Sequence, residues 1–185
     1  MSQINVIKRN GRGTEPLDLE KIHSMVGYAC KDLAGVSESL VEMNSGIQFY
    51  DQIPTEDIQQ ILIKSANDLI SLENPNYQYV AARLLLYSLR KKLYHRLWEL
   101  PHLSKHINTC IEHGVYDPDF LKWYSKEDID QMNSFINHER DYLFSYAGLR
   151  QVIDKYLVQD RSSGDIFETP QFMYMMIAAT LFRNY

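Results

Sequence analysis

The sequence predicts a mainly α-helical protein: a short β-hairpin over a four-helix bundle, then a helical region interrupted by a second β-hairpin. Three observations carry this. Apolar residues recur every three or four positions through most of the chain. Turn residues break that rhythm at a few sharp places. The opening stretch instead alternates as a strand does.

Ile4 and Val6 alternate, Asn10-Gly11-Arg12-Gly13 supplies turn chemistry, and Thr14 to Leu17 returns as the second strand. Asp18 is a good N-cap for a first helix whose apolar positions, Leu19, Ile22, Met25, Val26, Ala29, Cys30 and Leu33, fall on one face until Gly35 stops it. A second helix is expected from Ser37 to about Tyr50. Thr55 opens a third, with Glu56 and Asp57 where acids suit the macrodipole and Ile58, Ile61, Leu62, Ala66 and Leu69 as its buried stripe. Asn74-Pro75 breaks the pattern, and a long helix follows from Tyr77 to about Trp98.

Pro101 marks the boundary between a first part, residues 1–95, and a second, residues 96–185. Shorter helices are expected at Leu103 to His113, Pro118 to Tyr124, from Lys126 after a Ser125-x-x-Asp128 capping signal, and at Ser145 to Lys155. Tyr156–Gln159 and Asp165–Glu168 flank the turn-rich residues 160–164 as a second hairpin, and Thr169-Pro170 opens a last helix. Phe172, Met173, Met175, Met176, Ile177, Leu181 and Phe182 leave that helix apolar nearly all round, so it expects cover on several sides. On that ground the chain reads as the leading piece of a truncated or split protein.

With 45% hydrophobic and 12% aromatic residues the chain can bury a sizeable core. Its 24 acids against 19 bases, net −5, argue against a domain that wraps a nucleic-acid backbone. Neither a signal segment nor a long apolar run is visible, so a cytoplasmic protein with no membrane contact is expected. Two cysteines, Cys30 and Cys110, form no Cys-x-x-Cys pair, which excludes a zinc ribbon or a dithiol redox centre of that type.

Several clusters could carry chemistry. Lys8-Arg9, Lys21 and Arg90-Lys91-Lys92 are basic, and Thr55 puts a hydroxyl at a helix N-terminus; folded together they would suit a triphosphate. Spacing alone favours the plainer reading, solvated charges and a simple cap. His102-x-x-x-His106 has zinc-hydrolase spacing but Leu103 where the general base belongs, so two ordinary surface or interface histidines are the better reading. His138-Glu139-Arg140-Asp141 cannot converge on one ligand from consecutive positions and reads as a solvated face or an inter-helix salt bridge. No catalytic residue or metal site emerges.

Ile7-Lys8-Arg9-Asn10-Gly11, Glu15, Asp18-Leu19-Glu20-Lys21-Ile22, Ile47-Gln48-Phe49-Tyr50-Asp51, Thr55-Glu56-Asp57-Ile58, Asn76–Arg83 and Leu89-Arg90-Lys91 together resemble an ATP-cone domain. His138–Asp141, Lys155–Gln159 and Glu168–Phe172 resemble the segment that leads into the catalytic barrel of a class I ribonucleotide reductase large subunit. The resemblance covers essentially the whole chain in order. It implies allosteric sensing of ATP as activator and dATP as inhibitor, with Mg, and no cofactor for chemistry. By position Lys8, Arg9, Lys21, Thr55 and Lys91 would hold phosphates, Glu15, Asp18, Ile22 and Ile58 would surround the adenine, and Leu17 completes the set. Gln59 stands where well-studied members carry a ribose-side histidine, and glutamine cannot charge.

The family's chemistry needs several close cysteines, which Cys30 and Cys110 do not match, so this chain is expected to be inactive alone. The implied partners are the remaining catalytic part of the large subunit, the radical-bearing small subunit and further copies of the large subunit. Two other readings stay open. An ATP-cone repressor would need the missing zinc ribbon, and a helical interaction module with a degenerate nucleotide site would use the same lysines as plain surface charge.

Overall fold

The computed structural model describes residues 4–8, 13–46 and 48–183. Arg9, the turn residues Asn10, Gly11 and Arg12, and also Ile47 and Tyr185, lie outside them. The chain divides into two compact units, residues 1–88 with 144–149, and residues 89–143 with 150–185.

The first unit begins with β1 (Asn5–Ile7) and β2 (Thr14–Pro16), followed by α1 (Leu19–Cys30), α2 (Glu38–Gly46), β3 (Ile53–Pro54), α3 (Thr55–Asp68) and most of α4 (Tyr77–Tyr94). The hairpin is present as expected, with Asn5 opposite Pro16 and Ile7 opposite Thr14. A third strand joins it: β3 runs parallel to β1, giving the order β2-β1-β3. Two residues, one of them proline, carry no alternation to read, and proline is tolerated because this strand sits at an edge. Asp51 pins the pairing. Its Oδ1 accepts from Asn5 N at 2.8 Å and Asn5 Nδ2 at 3.1 Å, while Gln52 N donates to Asn5 O at 2.8 Å.

Asp18 caps α1 as expected, accepting from Glu20 N and Lys21 N. The helix stops at Cys30, short of Leu33, because Asp32 turns left-handed (φ 60°). Arg83 on α4 gathers the emerging carbonyls, its Nη1 donating to Ala29 O at 3.1 Å and Lys31 O at 2.6 Å. Asn76 Nδ2 holds Ala34 O at 2.9 Å and the Tyr77 hydroxyl accepts from Ser37 N at 2.9 Å, so the α1–α2 connection is fastened to the start of α4. α2 ends at Gly46, before the expected Tyr50, to leave chain for the approach to β3. α4 ends at Tyr94, not Trp98, where His95 adopts φ 56°. Val26, Val41, Ile53, Leu62, Val80 and Leu84 are fully buried and form the core. Each contributes about 1.5–3 kcal/mol by leaving water.

The second unit holds the end of α4, α5 (Leu103–Glu112), α6 (Phe120–Trp123), α7 (Lys126–Phe135), a 3-10 helix (His138–Leu143), most of α8 (Tyr146–Lys155) and α9 (Pro170–Leu181). The Ser125/Asp128 capping box forms in full. The expected second hairpin is reduced to one antiparallel bridge, Gln159 with Ile166, closed by Asp160 N to Asp165 O at 2.8 Å and turned at Gly164 (φ 74°). The core is Leu103, Ile107, Phe120, Ile129, Phe172, Met176 and Ala179. α9 buries Phe172, Met173, Met176 and Ala179 on one side only; Tyr174, Ile177 and Leu181 stay exposed, so the cover its composition calls for is partial among the described residues. No described helix is long and apolar enough to cross a membrane.

Candidate functional site

Parallel pairing of β1 and β3 decides what the first unit presents. Val6 stands against Ile53 and Ile7 against Pro54, so the next residue on each path is Lys8 and Thr55. Lys8 therefore leaves the sheet beside the first turn of α3, a helix of 14 residues. Thr55 was expected to cap that helix. Instead Pro54 occupies the cap, supplies no side-chain acceptor, and Thr55 is the first helical residue. The first-turn N–H groups, which have no intrahelical acceptors, are left for solvent or an anion.

Across the hairpin, Lys8 Nζ lies 2.6 Å from Glu15 Oε2. Lys8 holds the Glu15 carboxyl below its ordinary range, first by that hydrogen bond and then by its charge; Lys21 adds to the effect and Asp18 opposes it. Asp18 Oδ2 in turn lies 3.4 Å from Lys21 Nζ while Oδ1 caps α1. Lys8, Glu15, Asp18, Lys21 and the first turn of α3 are thus one neighbourhood of the first unit. Leu17 is half-buried and its N–H donates to Ile4 O at 2.9 Å. Ile22 and Ile58 are buried.

Gln59 is buried on α3, and its Nε2 donates to the Leu84 carbonyl of α4 at 3.0 Å. Nothing in the sequence pattern announces that bond. Lys91 is exposed on α4 within the second unit, and Arg9 is outside the described residues.

Arg90 departs from the basic run expected of residues 90–92. It is 3% exposed, and its guanidinium donates to Tyr142 Oη at 3.0 Å, His138 O at 2.7 Å and Asp141 Oδ2 at 3.2 Å. Gln171 Nε2 holds the other Asp141 oxygen at 3.0 Å. Burial pushes the Asp141 carboxyl up, against the pull of Gln171 and Arg90. Residues 138–141 divide between the two readings: Asp141 makes the inter-helix salt bridge, while Glu139 and Arg140 are exposed.

The histidine pair also separates. His102 is exposed and caps α5 through Nδ1 to Ser104 N at 3.3 Å. His106 is a core residue rather than the surface or interface group expected, stacked on Phe172 at 4.1 Å. Burial lowers its pKa to about 4. Its Nε2 lies 3.2 Å from the Tyr116 hydroxyl, which donates to buried Glu168, whose other oxygen accepts from Val158 N at 2.8 Å. Sequence reading missed this network, because residues 106, 116 and 168 share no local pattern.

A cavity of about 760 Å³ in the second unit is lined in part by Lys92, Arg96, Lys105, His106 and Phe167. Lys92 is paired with Asp165 at 3.4 Å and Arg96 with Glu99 at 3.8 Å. None of the nucleotide residues expected from the sequence lines it.

Residues 4–92 match the family model described as the ATP cone domain, and residues 142–185 that of the ribonucleotide reductase all-alpha domain. The chain is 49% identical over 180 residues to ribonucleoside-diphosphate reductase 1 subunit alpha of Escherichia coli (strain K12), covering 97% of this chain and 23% of that one. It is 42% identical over 186 residues to the subunit alpha of Enterobacteria phage T4, covering 100% and 24%. With the Helicobacter pylori subunit alpha it shares 41% over 185 residues, covering 98% and 22%. The chain spans less than a quarter of the length of these curated relatives.

Proposed function

The chain belongs to the ribonucleoside-diphosphate reductase large-subunit family, with an ATP cone over residues 4–92 and the all-α domain over residues 142–185, and from that premise we propose that residues 1–95 sense adenine nucleotides for a reductase. ATP would activate and dATP inhibit. Lys8, Arg9, Lys21, Thr55 and Lys91 take the phosphates, while Glu15, Leu17, Asp18, Ile22 and Ile58 form the adenine side and Gln59 the ribose side.

One observation supports this most. The β1–β3 register sets a lysine beside a helix N-terminus that no side chain caps. A triphosphate satisfies both at once, the lysine by a charge-assisted bond and the free N–H groups by the helix dipole. Glu56 and Asp57 in the same turn would repel a naked tetra-anion. A divalent ion on the phosphates removes that repulsion, so the effector enters as its Mg²⁺ complex.

The chemistry belongs to the rest of the large subunit. We assign residues 96–185 to the helical region that leads into it, the radical to a small subunit, and the working setting to a large-subunit homo-oligomer in the cytoplasm. Both ATP and dATP carry the same base and triphosphate, so the switch rests on differential contact with the 2′ position.

The test is thermal unfolding with and without each nucleotide, since a ligand that binds only the folded state must raise its stability. ATP and dATP at about 100 times their dissociation constants should each add about 2.7 kcal/mol. A helical interaction module with a degenerate site is the competing reading, favoured by the fact that Lys8 and Lys21 already carry carboxylate partners. It requires no shift with either nucleotide.

A further inference from the structure

The cavity of about 760 Å³ lies wholly within the second unit and has the volume of a small-molecule site. Its walls come from the end of α4, the α4–α5 connection, α5 and the turn around the Gln159–Ile166 bridge. Helical spacing arranges one of them. Lys105, Thr109 and His113, the last being the C-cap of α5, line the cavity at intervals of four residues, about 6 Å along the axis each.

The carboxylates of the cavity are already answered. Asp165 takes Lys92 at 3.4 Å, Glu99 takes Arg96 at 3.8 Å, and Asp160 Oδ1 accepts from Ser162 N at 2.7 Å and Ser162 Oγ at 2.6 Å. Lys105 has no carboxylate partner among the described residues, so its charge is left for a ligand. At the other end of the same wall the His113 ring meets that of Phe167 at 5.2 Å, tilted by 48°. Buried His106 also lines the cavity without adding charge near neutrality, since burial lowers its pKa to about 4. His95 and Glu99, left-handed at φ 56° and 55°, bracket the connection that carries Arg96 into the wall. Such backbone persists only where its surroundings dictate it, and it gathers at ligand sites.

We propose that this cavity binds a phosphate monoester that carries an aromatic ring, with the phosphate on Lys105 and Thr109 and the ring on His113 and Phe167. A nucleoside monophosphate is the simplest molecule of that class, because its sugar spaces phosphate from base by about the one helical turn between the two halves of the wall. Lys105 supplies a charge-assisted bond and Thr109 a hydroxyl. The rings offer a stacking surface that any base fits. The exposed pairs Lys92–Asp165 and Arg96–Glu99 are weak enough to turn towards the phosphate. None of the residues proposed for nucleotide sensing lines this cavity, so the inference stands apart from that reading.

Uridine monophosphate, uridine and inorganic phosphate titrated into the full chain test it, by calorimetry and by the ring C–H signals of His113 in proton NMR. The monophosphate should bind about tenfold tighter than either fragment and move the His113 signals. Lys105→Ala should weaken it about tenfold, the worth of a charge-assisted hydrogen bond, and leave uridine unchanged. His113→Ala should weaken the monophosphate and uridine about threefold, the worth of one aromatic contact, and leave inorganic phosphate unchanged. Both side chains are exposed, so neither change threatens the fold.

Inorganic phosphate binding as tightly as the monophosphate would reduce the cavity to a plain anion site and sink the proposal. So would a chain that binds no monophosphate, binding that leaves the His113 signals in place, or binding that Lys105→Ala does not weaken.

Discussion

Gln59 commits one of its two amide hydrogens to the Leu84 carbonyl, which fixes the amide plane and leaves its oxygen and the second N–H for a ligand. On the ribose side proposed for it, the amide oxygen would accept from a 2′-hydroxyl, which ATP has and dATP lacks. Replacing it by leucine should weaken ATP about tenfold relative to dATP, the worth of one buried hydrogen bond, in paired calorimetric titrations; equal losses for both would remove Gln59 as the discriminator. His106 and His138 set a pH limit on the same molecule. Burial lowers both to about 4, from an ordinary value of 6.5. The unfolded chain therefore binds more protons than the folded one between those values, and stability is lost as pH falls from about 6.5 towards about 4. The slope approaches about 1.4 kcal/mol per pH unit for each histidine. Urea denaturation at pH 7 and pH 4.5 should show the fall, and His106→Phe should flatten it.

Among the elements, α4 was legible at its start and misread at its end, and the reasons differ. Tyr77 follows Asn74-Pro75, a break that any chain shows in its residues. The stop at Tyr94 depends on a left-handed His95, which the apolar rhythm does not mark. β3 was invisible for a related cause: it exists because β1 offers an edge and Asp51 holds Asn5, and a two-residue strand has no period of its own. Arg90 shows tertiary context overriding a charge run. It lies beside Lys91 and Lys92 yet turns inward to Asp141, an ion pair with side chains 3% and 0% exposed. Arg90→Met should cost about 3–5 kcal/mol, since it strands a buried carboxylate, while the double change with Asp141→Leu should recover much of that. Chemical denaturation of the three variants measures it, and equal losses in single and double variants would mean that packing, not charge, dominates.

For the molecule as a whole, the mainly helical class, the opening hairpin and the capping signals at Asp18 and Ser125 could be read from local pattern, whereas the site's assembly could not. Lys8 and Thr55 are neighbours only through strand pairing, and the Glu168–Tyr116–His106 network only through packing. The cysteines test the integrity of both units together. Burial raises Cys30 to about 11 and Cys110 to about 12, so neither forms appreciable thiolate near neutrality. A thiol-reactive dye at pH 7.5 should label neither in the native chain and both in denaturant; rapid native labelling of one would expose a local opening of its unit. The β1–β3 pairing has a last consequence, for synthesis on the ribosome. The first strand emerges early, but its parallel partner lies 47 positions later, from Val6 to Ile53. At about 5–20 residues per second, the nascent chain waits some seconds with β1 lacking that neighbour. No effector can engage the proposed site in that interval, because the lysine exists before the helix end that completes it.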